Sequence, residues 1–222
     1  EKAKELYETL EKVRVEGGEE WVETVNPPPP LSTDALIREA SRIFGFDANL
    51  TMQLAQDLFE SGVITYHRTD SIRVSTAGMS VAHRYMAENG MEELYKPRKW
   101  SEAGAHECIR PTRPVDVEQL RLMLYTGALR GRLTGKHLRL YDLIFKRFMA
   151  SQAQEAEVKK RRFKVKVGDF EEVKEFTVEV LKEGFYRFIP VKVETLPEGE
   201  FEVSSKDLKL IPSKPYFTQG SL

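Results

Sequence analysis

Residues 61–75 read SGVITYHRTDSIRVS, and Tyr66 stands there among His67, Arg68, Thr69, Asp70 and Ser71. A phenol, with a reference pKa of about 10, suits reversible phosphoryl transfer, because the phenolate leaves readily when a sugar oxygen attacks back. Such a step conserves bond energy and needs no ATP. Arg68, two residues on, falls on the same side of an extended segment, where its guanidinium could hold a phosphate by a bidentate contact. A second string, AHECIRPTRP at residues 105–114, joins His106, Glu107, Arg110 and Arg113 to two prolines that stiffen the backbone. Taken with Tyr66 and Arg68, it offers another cation for the same phosphate. By residue type alone, a packed tyrosine beside a surface arginine and a hydrogen-bonded structural histidine are the commoner arrangements.

The elements that would position these groups are helical. Before them, VRVEGGEEWVETV reads as two short strands about Gly17-Gly18, a hairpin signal, after a polar opening helix. Pro27 to Pro30 then stop any regular ladder, either as a segment boundary or as a stiff spacer. LSTDALIREASRIFGF predicts a helix capped by Ser32, with Leu36, Ile37, Ala40, Ile43 and Phe44 on one face and Gly45 at its end. NLTMQLAQDLFESG predicts a second, with Asn49 as cap, Leu50, Leu54, Leu58 and Phe59 inward and Gly62 as the stop, so Tyr66 lies just past a helix C-terminus. Further helices are expected over Ser75–Asn89, Asp116–Tyr125 and Thr134–Gln152, the last turning Leu138, Tyr141, Ile144, Phe145 and Phe148 inward. Beyond Glu155 the period changes to two in RFKVKVGDF, EFTVEVL and GFYRFIPVKV, the pattern of antiparallel strands. The expected fold class is α+β, a helical domain inserted into a β unit.

Composition narrows the function classes. The chain has 222 residues, 41% of them hydrophobic, enough for a packed core. The single cysteine, Cys108, allows no internal disulfide, no Cys/His set has zinc-ligand spacing, and a reducing, cytoplasmic setting is expected. No apolar run approaches the roughly 20 residues that span a bilayer, so no membrane partner is expected. The start, EKAKELYETL, has neither an initiator Met nor a signal pattern, and FTQGSL stops where a helix could begin; both ends are expected to be cut from a longer protein. Net charge is −1, yet Ser61 to Arg147 carries 15 Lys and Arg against 9 Asp and Glu, a balance of +6, with 19 against 26 elsewhere. A basic middle between acidic flanks suits a face that meets phosphate, or reflects clustering on a solvated surface.

The residues then reach a resemblance. AQDLFESGVITYHRTDS, followed about 40 residues later by AHECIRPT, resembles the catalytic region of type IA DNA topoisomerases, whose strings are close to AQ-LYE-G-ITY-RTDS and AHEAIRPT. LSTDALIREA, LYDLIFKRFMASQ and PYFTQGSL extend the match along the chain, and YHRTDS-RVS with NPPPPLSTDAL is most similar to reverse gyrase, the helicase-fused branch of that family in thermophiles. The resemblance implies that Tyr66 attacks a single-strand phosphodiester, becomes linked to the 5′ phosphate and releases a 3′ hydroxyl, with another strand passing before resealing. It implies a phosphate-stabilising role for Arg68 and an active-site role for His106. Gln56, Glu60, Thr65, Thr69, Asp70 and Arg110 match positions around the scissile site, Glu60 and Asp70 as orienting groups.

Two positions depart from the pattern: Cys108 stands where Ala is common, and His67 where Met is frequent. The family's Toprim domain, which brings a catalytic Glu, a Lys and the Mg2+-binding carboxylates, has no match here, nor do helicase motifs. Implied partners are therefore single-stranded or locally unwound DNA, a Toprim domain with the remaining topoisomerase domains, and a helicase-like part; ATP enters only with that part. The expected organisation is residues 1–28 as the first part of a β arm, 29–154 as a winged-helix-like (CAP-like) tyrosine domain, 155–211 as returning strands and 212–222 as the start of the next domain. The rival readings are a noncatalytic winged-helix DNA-binding module and a site-specific tyrosine recombinase, which would expect dispersed Arg and His residues and a 3′ linkage.

Overall fold

The structure, a computed structural model, describes residues 1–102 and 104–207. The expected start of a further domain at 212–222 lies outside the described residues. In chain order the elements are α1 (Lys2–Thr9), β1 (Lys12–Val25), α2 (Thr33–Phe44), α3 (Ala48–Glu60), α4 (Thr76–Glu88), α5 (Val117–Thr126), α6 (Gly135–Ser151), β2 (Ala156–Val167), β3 (Phe170–Lys182) and β4 (Gly199–Glu202). Short 3-10 turns occupy Glu92–Leu94 and Gly184–Arg187. The class is α+β. The chain divides into two compact units, a sheet unit (Glu1–Val22, Lys159–Glu179 and the stretch from Val193) and a helical unit (Glu23–Val158 with Val180–Lys192). The helical unit thus begins before the prolines and takes in a returning segment expected to belong to the strands.

The sheet unit holds four strands in the order β3-β2-β1-β4, with β4 antiparallel to β1 in the register Lys12↔Glu202 to Val15↔Gly199. The expected hairpin at Gly17-Gly18 is not there: β1 runs unbroken for 14 residues. Those glycines serve close approach. A Cβ at Gly17 would lie 2.2 Å from an Arg161 nitrogen, and one at Gly18 would lie 3.2 Å from the Arg162 carbonyl. Period two is read correctly for β2 and β3, which turn at Gly168, a residue with φ of 58°. It fails for GFYRFIPVKV, where no strand forms. There Phe185 and Phe188 are buried with the helical core, and Gly184 (φ 51°) lets the chain pass the Glu155 carbonyl, which an added Cβ would meet at 2.2 Å.

In the helical unit α6 is the element on which α2, α3 and α5 pack. Tyr141, Ile144, Phe145 and Phe148 of α6, expected inward, are buried with Leu36, Leu54 and Leu58 from the predicted stripes of α2 and α3, and with Met86 of α4 and Leu120 of α5. Ile43 and Phe59, expected inward, are 47% and 37% exposed. Caps follow the sequence closely. The hydroxyls of Ser32 and Ser75 accept from Ala35 and Gly78 N–H, and Asp116 forms a capping box with Gln119. For α3 the cap is Asp47 rather than Asn49, its carboxylate accepting the Leu50 N–H at 2.7 Å. No helix among the described residues is long and apolar enough to cross a membrane.

Candidate active site around Tyr66

The chain leaves α3 through Gly62, whose φ of 74° ends the helix, and enters residues 63–75 without regular structure. What holds this segment is pairing with the second string. Thr65 N–H donates to Arg110 O (2.9 Å), Thr112 N–H to Val63 O (3.1 Å) and Cys108 N–H to Arg73 O (2.9 Å), while Ile109 N–H donates to Leu31 O (2.8 Å). The two motifs, 40 residues apart, therefore lie side by side as an irregular ladder, with Val63, Ile64, Cys108 and Ile109 buried beneath it. Thr65 fixes the ladder from its side chain too, its hydroxyl donating to Cys108 O at 2.8 Å and accepting Arg110 N–H at 2.9 Å.

Thr33, at the start of α2, clamps the far side of the tyrosine. Its hydroxyl donates to His67 O (2.7 Å) and accepts Thr69 N–H (2.8 Å), and its own N–H reaches Thr69 O (2.9 Å). Tyr66 between these fixed points is 49% exposed, its ring set edge-on to Phe59 (5.2 Å) and His67 (5.3 Å). It borders a cleft of about 300 Å³ lined by Thr65, Tyr66, Thr69, Ala105, His106 and Glu107. Tyr66, His106, Thr65 and Thr69 are thus brought together as the sequence expected. Arg68 and Asp70 are exposed in the same segment, and Arg68 makes no hydrogen bond or ion pair among the described residues. Gln56 and Glu60 sit one turn apart on the exposed face of α3 and bond each other at 2.7 Å.

Arg110 departs from the expectation of a second phosphate-binding cation. It is 7% exposed, its guanidinium held by the Glu107 carboxylate (3.1 and 2.7 Å) and Pro111 O (3.0 Å). The other Glu107 oxygen accepts Ser75 N–H at 3.1 Å, so Glu107 ties the His106 loop to the start of α4. Gly78 of α4 makes room for this pair, since a Cβ there would stand 2.7 Å from the Arg110 Nε. Arg73 steadies the same loop by donating to the carbonyls of Ala105 and His106. Thr33, Arg73 and Gly78 carry no local signal for these roles, because each acts on a partner more than 30 residues away, and Glu107, whose Arg110 partner is three residues on, has its second partner, Ser75, 32 residues back.

His67 is buried, and neither ring nitrogen has a hydrogen-bond partner. Burial, and secondarily the Arg68 guanidinium, hold this imidazole below its ordinary pKa, against the pull of Glu60. It is a neutral ring in an apolar slot, the slot of a Met in the resembled motif. Cys108 is fully buried, and that burial pushes its thiol up to about 12, so it is no nucleophile. Among the described residues no group of three or more His, Cys, Asp or Glu could hold a metal ion.

Residues 1–218 match the family model described as DNA topoisomerase. The chain is 49% identical over 99% of its length to reverse gyrase 1 of Aquifex aeolicus, covering 19% of that protein. It is 44% identical over 89% of its length to reverse gyrase of Pyrococcus furiosus, covering 17% of it. The structure of full-length topoisomerase I from Thermotoga maritima matches with a TM-score of 0.63 at 28% identity, over 90% of this chain and 34% of that one. The matches therefore span 12% to 19% of the length of these reverse gyrases.

Proposed function

The chain belongs to the type IA DNA topoisomerase family, and we propose that it supplies that family's nucleophile, Tyr66, for transient cleavage and religation of one DNA strand. The Tyr66 oxygen bonds to a backbone phosphorus, the bond from phosphorus to the 3′ oxygen breaks, and the strand is held as a 5′-phosphotyrosine beside a free 3′ hydroxyl. The phenol proton leaves to a base as attack begins, and the departing 3′ oxygen gains a proton. Attack by that hydroxyl reverses each bond change and reseals the strand after another has passed. Arg68 neutralises the phosphate as charge gathers on its oxygens, and His106, across the cleft from Tyr66, hydrogen-bonds it. Thr65, Thr69, Gln56, Glu60 and Asp70 frame the site, while Arg110 acts through Glu107 on the position of the His106 loop.

The cleft is open and half-formed. Among the described residues that line it the one carboxylate, Glu107, is already engaged by Ser75 N–H and Arg110, so these residues do not fit Mg2+. The acid and the divalent ion come, on this reading, from a Toprim domain outside the chain. We read the helical unit as winged-helix-like, and the parent enzyme as a reverse gyrase that adds positive supercoils with a helicase-like part and ATP.

The observation that carries the proposal is the opening of Tyr66, His106, Thr65 and Thr69 on one cleft. The test is adduct formation on single-stranded DNA with Mg2+ in a complete enzyme carrying this chain. Tyr66→Phe keeps the ring against Phe59 and His67 and removes only the hydroxyl, so the covalent adduct should vanish. An adduct that survives in the Phe variant, or one joined to a 3′ phosphate, overturns the assignment.

A further inference from the structure

We propose that the connection between α5 and α6 is a second binding surface, separate from the Tyr66 cleft, that grips single-stranded nucleic acid through its phosphates and one stacked base. Gln119 to Tyr141 carries Arg121, Arg130, Arg132, Lys136 and Arg139 and no Asp or Glu. Arg130, Arg132, Lys136 and Arg139 are all exposed and make no ion pair or hydrogen bond among the described residues. Elsewhere on these helices cations are paired: Arg121 has Glu118 at 3.6 Å and Lys146 has Asp142 at 2.7 Å. Lys136 also stands in the first turn of α6, which has no acidic residue although the helix dipole favours one there. Unpaired cations placed against that preference leave a positive potential that an outside anion would satisfy.

The loop is held in place while its charges point out. Leu129 and Leu133 pack against the core and Leu129 N–H donates to Met123 O (3.0 Å), whereas Arg130 and Arg132 face water. Buried His137 fastens the start of α6. Its Nδ1 accepts the Thr134 N–H at 2.9 Å, which makes Nε2 the protonated nitrogen facing the Asp57 carboxylate of α3 at 2.7 Å. A Cβ at Gly131 would lie 3.5 Å from the Ser61 hydroxyl, so the loop runs over the end of α3, five residues before Tyr66. Beside it Tyr125 is 90% exposed, with Leu122 one turn earlier at 61%. A tyrosine ring left in water five residues before the first of these unpaired cations offers the pairing of stacking platform and phosphate contacts that holds single strands without regard to sequence. An acidic protein would use the cations and leave the ring idle, which favours nucleic acid. That the strand is DNA rests on the topoisomerase reading of Tyr66.

The test is equilibrium binding of fluorescent oligo-dT to this chain as salt is varied. Arg130→Ala/Arg132→Ala/Lys136→Ala should make the slope of log affinity against log salt shallower by about 2, at roughly 0.7 per lost single-strand contact, and weaken binding roughly a hundredfold at 0.1 M salt. Arg130→Lys/Arg132→Lys keeps the charge and should keep the slope. Tyr125→Ala should lose about tenfold on oligo-dT and little on an abasic strand of equal length. An unchanged slope in the triple Ala variant overturns the proposal. So does equal loss of oligo-dT and polyglutamate binding in that variant with Tyr125→Ala without effect, which would make the surface one for an acidic protein. Loop binding is read from the salt slope of this chain, and adduct formation from Tyr66 in a complete enzyme, so the two readings fail independently.

Discussion

Tyr66, His67 and Arg68 are consecutive and meet three different environments: a half-exposed phenol, a buried neutral imidazole and a free guanidinium. If Arg68 tightens on the phosphate as it becomes pentacoordinate, Arg68→Ala in a complete enzyme should lose about 2.7 to 4 kcal/mol of transition-state stabilisation, the scale of one lost oxyanion donor. Single-turnover cleavage would then slow roughly a hundred- to a thousandfold with unfolding temperature unchanged. Arg68→Lys should recover only part, since an ammonium cannot reproduce a forked contact. His106→Ala should cost less, as one hydrogen bond. His67 is predicted to matter through stability and pH. Its unfolded imidazole takes a proton near pH 6.5 and the folded one only at lower pH, so the unfolded state binds more protons in that window. Stability is complete above about pH 6.5 and falls as pH drops toward the folded pKa. Thermal unfolding of His67→Met should show a shallower acid loss and no fall at pH 7, because two unsatisfied nitrogens leave an apolar slot. A steep acid loss retained by the Met variant would locate the titration elsewhere. That Tyr66 and His106 would both lie off the helical core was legible because each sits in a polar string off every apolar stripe, and the two line one cleft. The burial of Arg110 was not, for it depends on Gly78 and Glu107, which no periodicity marks.

Helix ends were the most legible elements, since a hydroxyl or carboxylate before an apolar stripe and a glycine after it act over one turn. Strand breaks were the least legible. Gly17-Gly18 has the composition of a turn, and only Arg161 and Arg162, about 140 residues on, show why small residues stand in a straight strand. Two predictions belong to this scale. Asp116 caps α5 and also accepts the hydroxyl of buried Tyr85 at 2.8 Å. Asp116→Ala should therefore lose the cap, about 1 kcal/mol, and a share of the 1–3 kcal/mol of an unpaired buried hydroxyl, whereas Asp116→Asn, which keeps an acceptor, should lose far less. Equal losses in chemical denaturation of the two variants would show that neither contact matters. Gly78→Ala raises helix propensity yet drives a methyl to 2.7 Å from a guanidinium pinned on both sides. We expect about 1–3 kcal/mol of destabilisation and slower cleavage, as Glu107 and the His106 loop shift with Arg110. A stabilised, fully active Ala variant would mean that Arg110 moves freely.

Across the whole molecule the apolar core is unevenly shared. The buried cluster from Leu31 to Phe188 lies within the helical unit, whereas among the described residues of the sheet unit the buried hydrophobics are Val15 and Phe163. The sheet unit leans instead on cross-strand ion pairs such as Arg162 with Glu175 (2.8 Å) and Lys159 with Glu179 (2.8 Å), and exposed pairs of this kind contribute about 0–1 kcal/mol each. All the proposed site residues belong to the helical unit. Local opening should therefore be cheap in the sheet and expensive in the scaffold of the nucleophile. In native-state amide exchange α6 should be the most protected element, with α3 close behind, while β3 and β4 should exchange through openings well below the global free energy. Raising salt should speed exchange in β2 and β3 by screening their pairs and leave α6 nearly unchanged, because burial of Tyr141, Ile144 and Phe148 does not depend on ionic strength. Were β3 and α6 to exchange at one common rate with a common salt response, the two units would open as a single cooperative body, and the uneven core would have no dynamic consequence.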